Sequence, residues 1–251
     1  MKQRQFACLV TLVLLAGCAV PQPQNTPVSE RLEVDPVTGR AYWIYVPSTY
    51  RHDRALPLIV TCHGTPPYDV AWRHIRELKM LGETNGCIVV APELLATDGI
   101  VGDGPIVGML ADEQYILALI STLGYRYNLD RANIMITGFS GGGFPVYWVG
   151  LRNPDVFSCA VARSCNFSAP NLDGWYPPEA KHVVLKVYYG ENDPGAIASQ
   201  SRMAISYLRE KGFQVATEVI PKKGHERVPE AAVRFFRENW RKPNPSLPPE
   251  K

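Results

Sequence analysis

Ten residues constrain this 251-residue chain more than any others: Ile134-Met135-Ile136-Thr137-Gly138-Phe139-Ser140-Gly141-Gly142-Gly143. A β-branched, apolar run enters a Gly-x-Ser-x-Gly turn, and helix-compatible sequence follows from Phe144 to Arg152. In that order the motif predicts a serine held on a sharp strand-to-helix turn. The glycines have a steric task, since the backbone must fold back close to the strand and a Cβ would obstruct it. The turn lifts the Ser140 hydroxyl out of the sheet and aims the first amides of the new helix at whatever it attacks. Pro145 suits a helix's first turn, where its missing N–H has no partner to lose.

Residues 1–17 read as a targeting segment and lie outside the fold. Lys2 and Arg4 precede an apolar run, Phe6 to Ala16, too short to span a bilayer. It ends in Leu15-Ala16-Gly17-Cys18, which resembles a bacterial lipobox. That resemblance implies a signal peptide over 1–17, a lipid anchor on Cys18, and export to the bacterial cell envelope. Without an Asp after Cys18, the outer membrane is expected where there is one. Cleavage removes Lys2 and Arg4, which account for the formal net charge of +2. A balanced charge gives no reason to expect nucleic-acid binding. Residues 18–30 form a polar, proline-rich tether, long enough to hold a domain roughly 30 Å off a surface. Residues 242–251 read as a loose proline-rich tail.

Residues 31–241 suit one domain. Arg31–Val34 and Ala41–Val46 flank an Asp-Pro and a Gly, predicting an antiparallel hairpin. Leu58–Cys62, Cys87–Pro92, Asn133–Thr137, Ser158–Arg163, His182–Tyr189 and Phe213–Ile220 read as strands. Helical spacing links Trp72, Ile75, Leu78 and Leu81, then Asp112–Leu123, then Ile197, Ala204, Ile205 and Leu208, and last Val228, Ala232, Phe235 and Phe236. Glu93–Met109 reads as a long loop and Ser164–Ala180 as irregular. The alternation predicts an α/β fold: a mostly parallel sheet with helices on both faces and an N-terminal antiparallel hairpin. Cys62, Cys87, Cys159 and Cys165 remain in the domain. Cys159 and Cys165 are the first choice for a bridge, with four buried thiols as the alternative, and none has zinc-site spacing.

In such a sheet, functional loops lie at the carboxyl ends of the strands. Ser140, Asp193 and His225 each follow a strand, in the chain order Ser, acid, His of the α/β-hydrolase triad. A serine hydroxyl needs a base, histidine titrates near neutrality, and a carboxylate fixes the imidazole tautomer. Glu191 competes with Asp193, which is favoured by its Asp-Pro-Gly turn. His52 and His74 do not end strands, His182 precedes one, and His63 belongs to a His-Gly loop that it is expected to anchor. The oxyanion of a tetrahedral intermediate needs two N–H donors. Gly141 supplies one; Thr65 is the first candidate for the other, with Gly64 in reserve, because Pro66 and Pro67 have no N–H. Phe139, Trp175 and Tyr176 are candidate substrate-binding residues, with ordinary packing as the alternative.

The chain resembles the polyhydroxybutyrate-depolymerase and feruloyl-esterase group of α/β-hydrolases. The matching pieces are Tyr45-Val46-Pro47, Leu58-Ile59-Val60 with His63-Gly64, Asp112-Glu113 before its helix, Asp130-Arg131 leading to Ile136–Ser140, Gly190–Asp193 and Gly224-His225. The resemblance implies serine hydrolysis of small-molecule or polymeric esters, with no cofactor and no metal. Thr65 stands where the group commonly has cysteine, and Gly141 where it often has alanine or asparagine; both keep an N–H. Two rival readings are a serine peptidase on the same fold, for which no peptide-selecting segment is legible, and a non-catalytic binding lipoprotein, for which a complete triad has no use.

Overall fold

The computed structural model describes residues 27–98 and 106–241, and the lipobox, most of the tether and the tail lie outside them. Eight strands form one sheet: β1 (Val28–Val34), β2 (Ala41–Val46), β3 (Leu56–Cys62), β4 (Ile88–Pro92), β5 (Leu129–Ser140), β6 (Cys159–Cys165), β7 (Val184–Gly190) and β8 (Val215–Ile220). Their spatial order is β1-β2-β4-β3-β5-β6-β7-β8. β1 pairs antiparallel with β2, as the hairpin signal predicts, and β2 also pairs antiparallel with β4. Every other pairing is parallel. β1 starts at Val28, so residues 28–30, read as tether, belong to the sheet.

Among the described residues five α-helices cover the sheet: α1 (Ala71–Asn85), α2 (Ile106–Arg126), α3 (Gly143–Arg152), α4 (Gly195–Glu210) and α5 (Pro229–Glu238). The period-2 alternation of strand side chains decides what each helix meets. Leu58, Val60, Ile134, Ile136, Ala160 and Ala162 face the core shared with α2, α3 and α4. Ile59, Val89, Met135 and Val161 face the second core, with α1 and α5. β3 and β4 are buried along their whole length, which is why they read as unbroken apolar runs.

Three expectations need correction. α2 begins at Ile106, not Asp112, so Asp112 and Glu113 lie within the helix rather than before it. The Asp112 carboxylate accepts the Leu95 and Ala96 amides and pairs with Arg40, fastening the segment after β4. On α1, Ala71, His74, Ile75, Leu78 and Gly82 are buried, whereas Trp72 is exposed, with the Arg73 and Arg76 guanidinium groups 5.6 and 5.5 Å from its ring centroid. The Cys159–Cys165 bridge is absent: all four domain cysteines are buried free thiols. Those two occupy opposite ends of β6. Six strand steps separate them by about 20 Å, several times the reach of a disulfide. Burial pushes the Cys87 and Cys165 thiols up to about 12. Among the described residues no helix is long and apolar enough to cross a membrane.

Candidate active site

Ser140 is the last residue of β5 and sits at φ 53°, in the left-handed region that a non-glycine residue rarely occupies. The Gly142 amide donates to the Phe139 carbonyl at 2.8 Å and closes the turn. Its tightness requires Gly138, because a Cβ there would lie 2.2 Å from the Gly142 carbonyl oxygen. α3 starts three residues after the serine, as the motif predicts.

β6, β7 and β8 bring the acid and base beside it. The His225 Nδ1–H donates to Asp193 Oδ1 at 2.8 Å. Asp193 Oδ2 accepts the Ser164 hydroxyl at 2.7 Å and the Gly190 amide at 2.6 Å. Asp193 is buried with three donors around it, whereas Glu191 binds the exposed Lys222 amide and faces away. The His225 ring stacks on Phe139, centroids 4.4 Å apart. Ser140 and His225 line one cleft of about 600 Å³ without a direct hydrogen bond between them. Such bonds often tighten only when substrate orders the site. A neighbouring depression of about 510 Å³ shares His225 and Arg227 but not Ser140.

The loop after β3 supplies the opposite wall. The His63 Nδ1–H donates to the Gly64 carbonyl at 2.7 Å, and Nε2 accepts the Leu94 amide at 2.9 Å. His63 is thus an anchor between two loops, as expected. The Gly64 amide donates to Asp69 Oδ2 at 2.7 Å, which removes it as the reserve oxyanion donor. Thr65 lines the cleft with Ser140, and its hydroxyl donates to the Thr97 carbonyl at 2.9 Å.

Under this wall lies a polar layer that the sequence reading missed. Asp69 Oδ2 also accepts the His74 Nε2–H at 2.7 Å, and Oδ1 accepts from Arg227 at 2.9 Å. Burial alone would raise the Asp69 carboxyl. The His74 bond, the Gly64 amide and the Arg227 charge outweigh it and hold the group well below the carboxylate range. His74 Nδ1 accepts from Thr61 at 2.8 Å and from Arg163 at 3.2 Å. A guanidinium cannot accept, so His74 carries its proton on Nε2. Burial, then the nearby Arg163 charge, bring its pKa down to about 4 against the pull of Asp69. Arg227 also binds Glu77 at 2.7 Å. The available signal was in the strands. On the face carrying Ile59, Met135 and Val161, the positions two residues onward are Thr61, Thr137 and Arg163. An apolar face that turns polar toward the strand ends marks a layer built for the site.

Of the three expected substrate-binding aromatics, only Phe139 reaches the cleft. Trp175 packs on Trp148 near the far end of α3, and Tyr176 on Phe213. Asn166, Ile197, Tyr68 and Arg227 line the cleft instead. Among the described residues no cluster of His, Cys, Asp and Glu could hold a metal ion.

No family model matches the chain. It is similar to dipeptidyl-peptidase 5 of Porphyromonas endodontalis, 24% identical over 73% of this chain, and it spans 32% of that longer relative. Among solved structures it resembles a CE1 ferulic acid esterase of Anaeromyces mucronatus, with a TM-score of 0.65, 14% identity, and coverage of 86% of this chain and 91% of that one. It also resembles S-formylglutathione hydrolase of Staphylococcus aureus, with a TM-score of 0.64, 17% identity, and coverage of 88% and 99%. Strand order, the strained serine turn and these neighbours agree that the chain has the α/β-hydrolase fold.

Proposed function

We propose that the protein is a serine hydrolase that cleaves carboxylic esters through an acyl-enzyme. The observation that carries the reading is the His225 Nδ1–Asp193 Oδ1 bond of 2.8 Å beside a serine at φ 53° in the same cleft. Asp193 fixes the imidazole with Nε2 as the acceptor, the tautomer a base needs. His225 takes the Ser140 proton as Oγ attacks the ester carbonyl. The Gly141 and Thr65 amides receive the oxyanion. His225 then protonates the leaving alcohol. Water repeats the sequence on the acyl-enzyme, releasing the acid and regenerating Ser140. Phe139 keeps the imidazole plane in place.

Ser140→Ala is expected to lower p-nitrophenyl ester hydrolysis by about a thousandfold or more and to abolish fluorophosphonate labelling. Full activity in that variant would sink the reading. The peptidase of P. endodontalis supports a second reading, peptide-bond hydrolysis by the same residues. Higher kcat/KM on dipeptidyl amides than on matched esters would favour it. A folded protein that neither turns over esters or amides nor labels would instead be a binding protein on this scaffold.

We also infer that the chain is exported and anchored to the bacterial envelope by lipid on Cys18, since Leu15-Ala16-Gly17-Cys18 has the lipobox pattern. Cys18→Ser should move the protein from the membrane fraction to the soluble one. An unchanged distribution would refute the anchor.

A further inference from the structure

Ser164 is a buried residue at the end of β6 with no part in the mechanism above. Its φ is 48°, in the left-handed region, where a serine is strained and glycine is not. Its neighbours on β6 pair regularly with β5 up to Phe139 and Arg163, and the register shifts just there, so that Ser140 faces Cys165. The strained conformation belongs to this irregularity. It also sets the side chain: the Ser164 hydroxyl donates to Asp193 Oδ2 at 2.7 Å. The chain thus has two strained serines on adjacent strands at the shift, Ser164 within it and Ser140 directly after it.

We propose that Ser164 is a positioning residue for hydrolysis, the member that holds Asp193 to His225. This rests on the serine hydrolase reading. A carboxylate on the loop after β7 can rotate about its Cα–Cβ and Cβ–Cγ bonds. Oδ2 is held from two directions, by the Gly190 amide at 2.6 Å at the end of β7 and by Ser164 on the neighbouring strand β6. Ser164 is the side chain that ties the acid to β6, the strand paired with the β5 that carries Ser140. With Oδ2 fixed, Oδ1 points at His225 Nδ1. The Asp193 charge also reaches Cys165 on β6 and Glu226 on the His225 loop, and Glu191 on its own loop accepts the Lys222 amide; none of these donates to Asp193. A backbone needing φ 48° would be served more easily by glycine; serine there retains a hydroxyl at the cost of strain.

The test compares Ser164→Ala and Ser164→Gly with wild type and Ser140→Ala. The readouts are p-nitrophenyl acetate hydrolysis across pH, fluorophosphonate labelling rate and thermal melting. Both Ser164 variants should lose about tenfold to a hundredfold in kcat with little change in KM, the scale of one hydrogen bond to a charged group. Their labelling rates should fall in parallel. The acid limb of the kcat/KM profile should move to lower pH, because an Asp193 carboxylate released from Ser164 stabilises the imidazolium less well. Ser164→Gly relieves the strain, so it should melt at or above Ser164→Ala yet be equally slow. A purely structural role would instead let Ser164→Gly regain activity with stability. Ser164 variants within twofold of wild type in kcat, with an unmoved acid limb and an inert Ser140→Ala, overturn the proposal and leave the hydrolase reading standing. An active Ser140→Ala overturns the hydrolase reading itself.

Discussion

A Cβ on Gly141 would lie 1.8 Å from the Thr97 carbonyl oxygen and 3.0 Å from Thr65 Oγ1. The first is inside any tolerable contact, and the atom that must yield is backbone. The same carbonyl accepts the Thr65 hydroxyl, so displacing it disturbs both expected oxyanion donors at once. This explains the departure noted in the sequence: where the group it resembles often carries alanine or asparagine, this chain has room only for hydrogen. Gly141→Ala should leave a folded protein with kcat reduced by at least about a hundredfold, since even one lost oxyanion donor has that effect. Ester turnover beside a circular dichroism spectrum checks it; wild-type kcat in a folded Gly141→Ala would mean that the loop gives way freely. At this scale the sequence was most informative for residues whose chemistry and strand position coincide, namely Ser140, Asp193 and His225. It was least informative for Trp175 and Tyr176. An aromatic ring in an irregular stretch satisfies a packing role and a binding role equally, and only the neighbours, Trp148 and Phe213, decide between them.

Two loops form the site, and one side chain links them. Arg227, two residues past His225, binds Asp69 at 2.9 Å under the Thr65 loop and Glu77 on α1 at 2.7 Å. The base and the expected oxyanion wall are therefore fixed relative to each other through one guanidinium. Removing it leaves Asp69, mostly buried, short of a partner. Arg227→Met should lower stability by about 1–3 kcal/mol, the cost of an unsatisfied buried group, and reduce kcat/KM more than it reduces Tm would suggest. Arg227→Lys should not restore either, because one ammonium cannot reproduce the fork that spans two carboxylates. Melting curves and ester kinetics on both variants decide; recovery in Arg227→Lys would make the link a matter of charge alone. The elements themselves were legible wherever hydrophobic period and turn residues agreed, as in β3, β4 and the β1–β2 hairpin. α2 starts earlier than expected because Asp112-Glu113 looks like a helix opening while the carboxylate serves the Leu95 and Ala96 amides. β5 exceeds its apolar stretch at both ends because sheet pairing reaches back to Leu129, across a register irregularity, and continues through Gly138 to Ser140. The polar layer went unseen because His74 looked like a helix residue away from any strand end, although it lies on the buried face of α1.

Taken as a whole, the molecule encloses ionisable groups whose state is set by folding, so its stability must depend on pH. His74 is fully buried, and its pKa falls from 6.5 to about 4 on folding. Between those values the unfolded chain binds a proton that the folded protein refuses. Unfolding stability therefore rises with pH across this window and is lost as pH falls. Asp69 and Glu33 act in the same direction at lower pH. Burial would raise both carboxyls, but Asp69 is held down by His74, the Gly64 amide and Arg227, and Glu33 is lowered to about 2 by Arg126 and Tyr42. Their contributions are present above the ordinary carboxylate range and disappear below it. Mild acid thus isolates His74. From near pH 7 to about pH 5 its titration should remove about 2 kcal/mol, or about 4–8 °C in Tm for a domain of this size. His74→Gln can still donate to Asp69 and accept from Thr61 but cannot titrate. It should have a lower Tm near neutrality and a much flatter dependence on pH through this window. Melting both proteins over the same pH series measures the difference directly. An equal acid-induced drop in wild type and His74→Gln would place the proton uptake elsewhere. A smaller drop in the variant would identify the histidine beneath the Thr65 loop as the group that limits the fold's tolerance of acid.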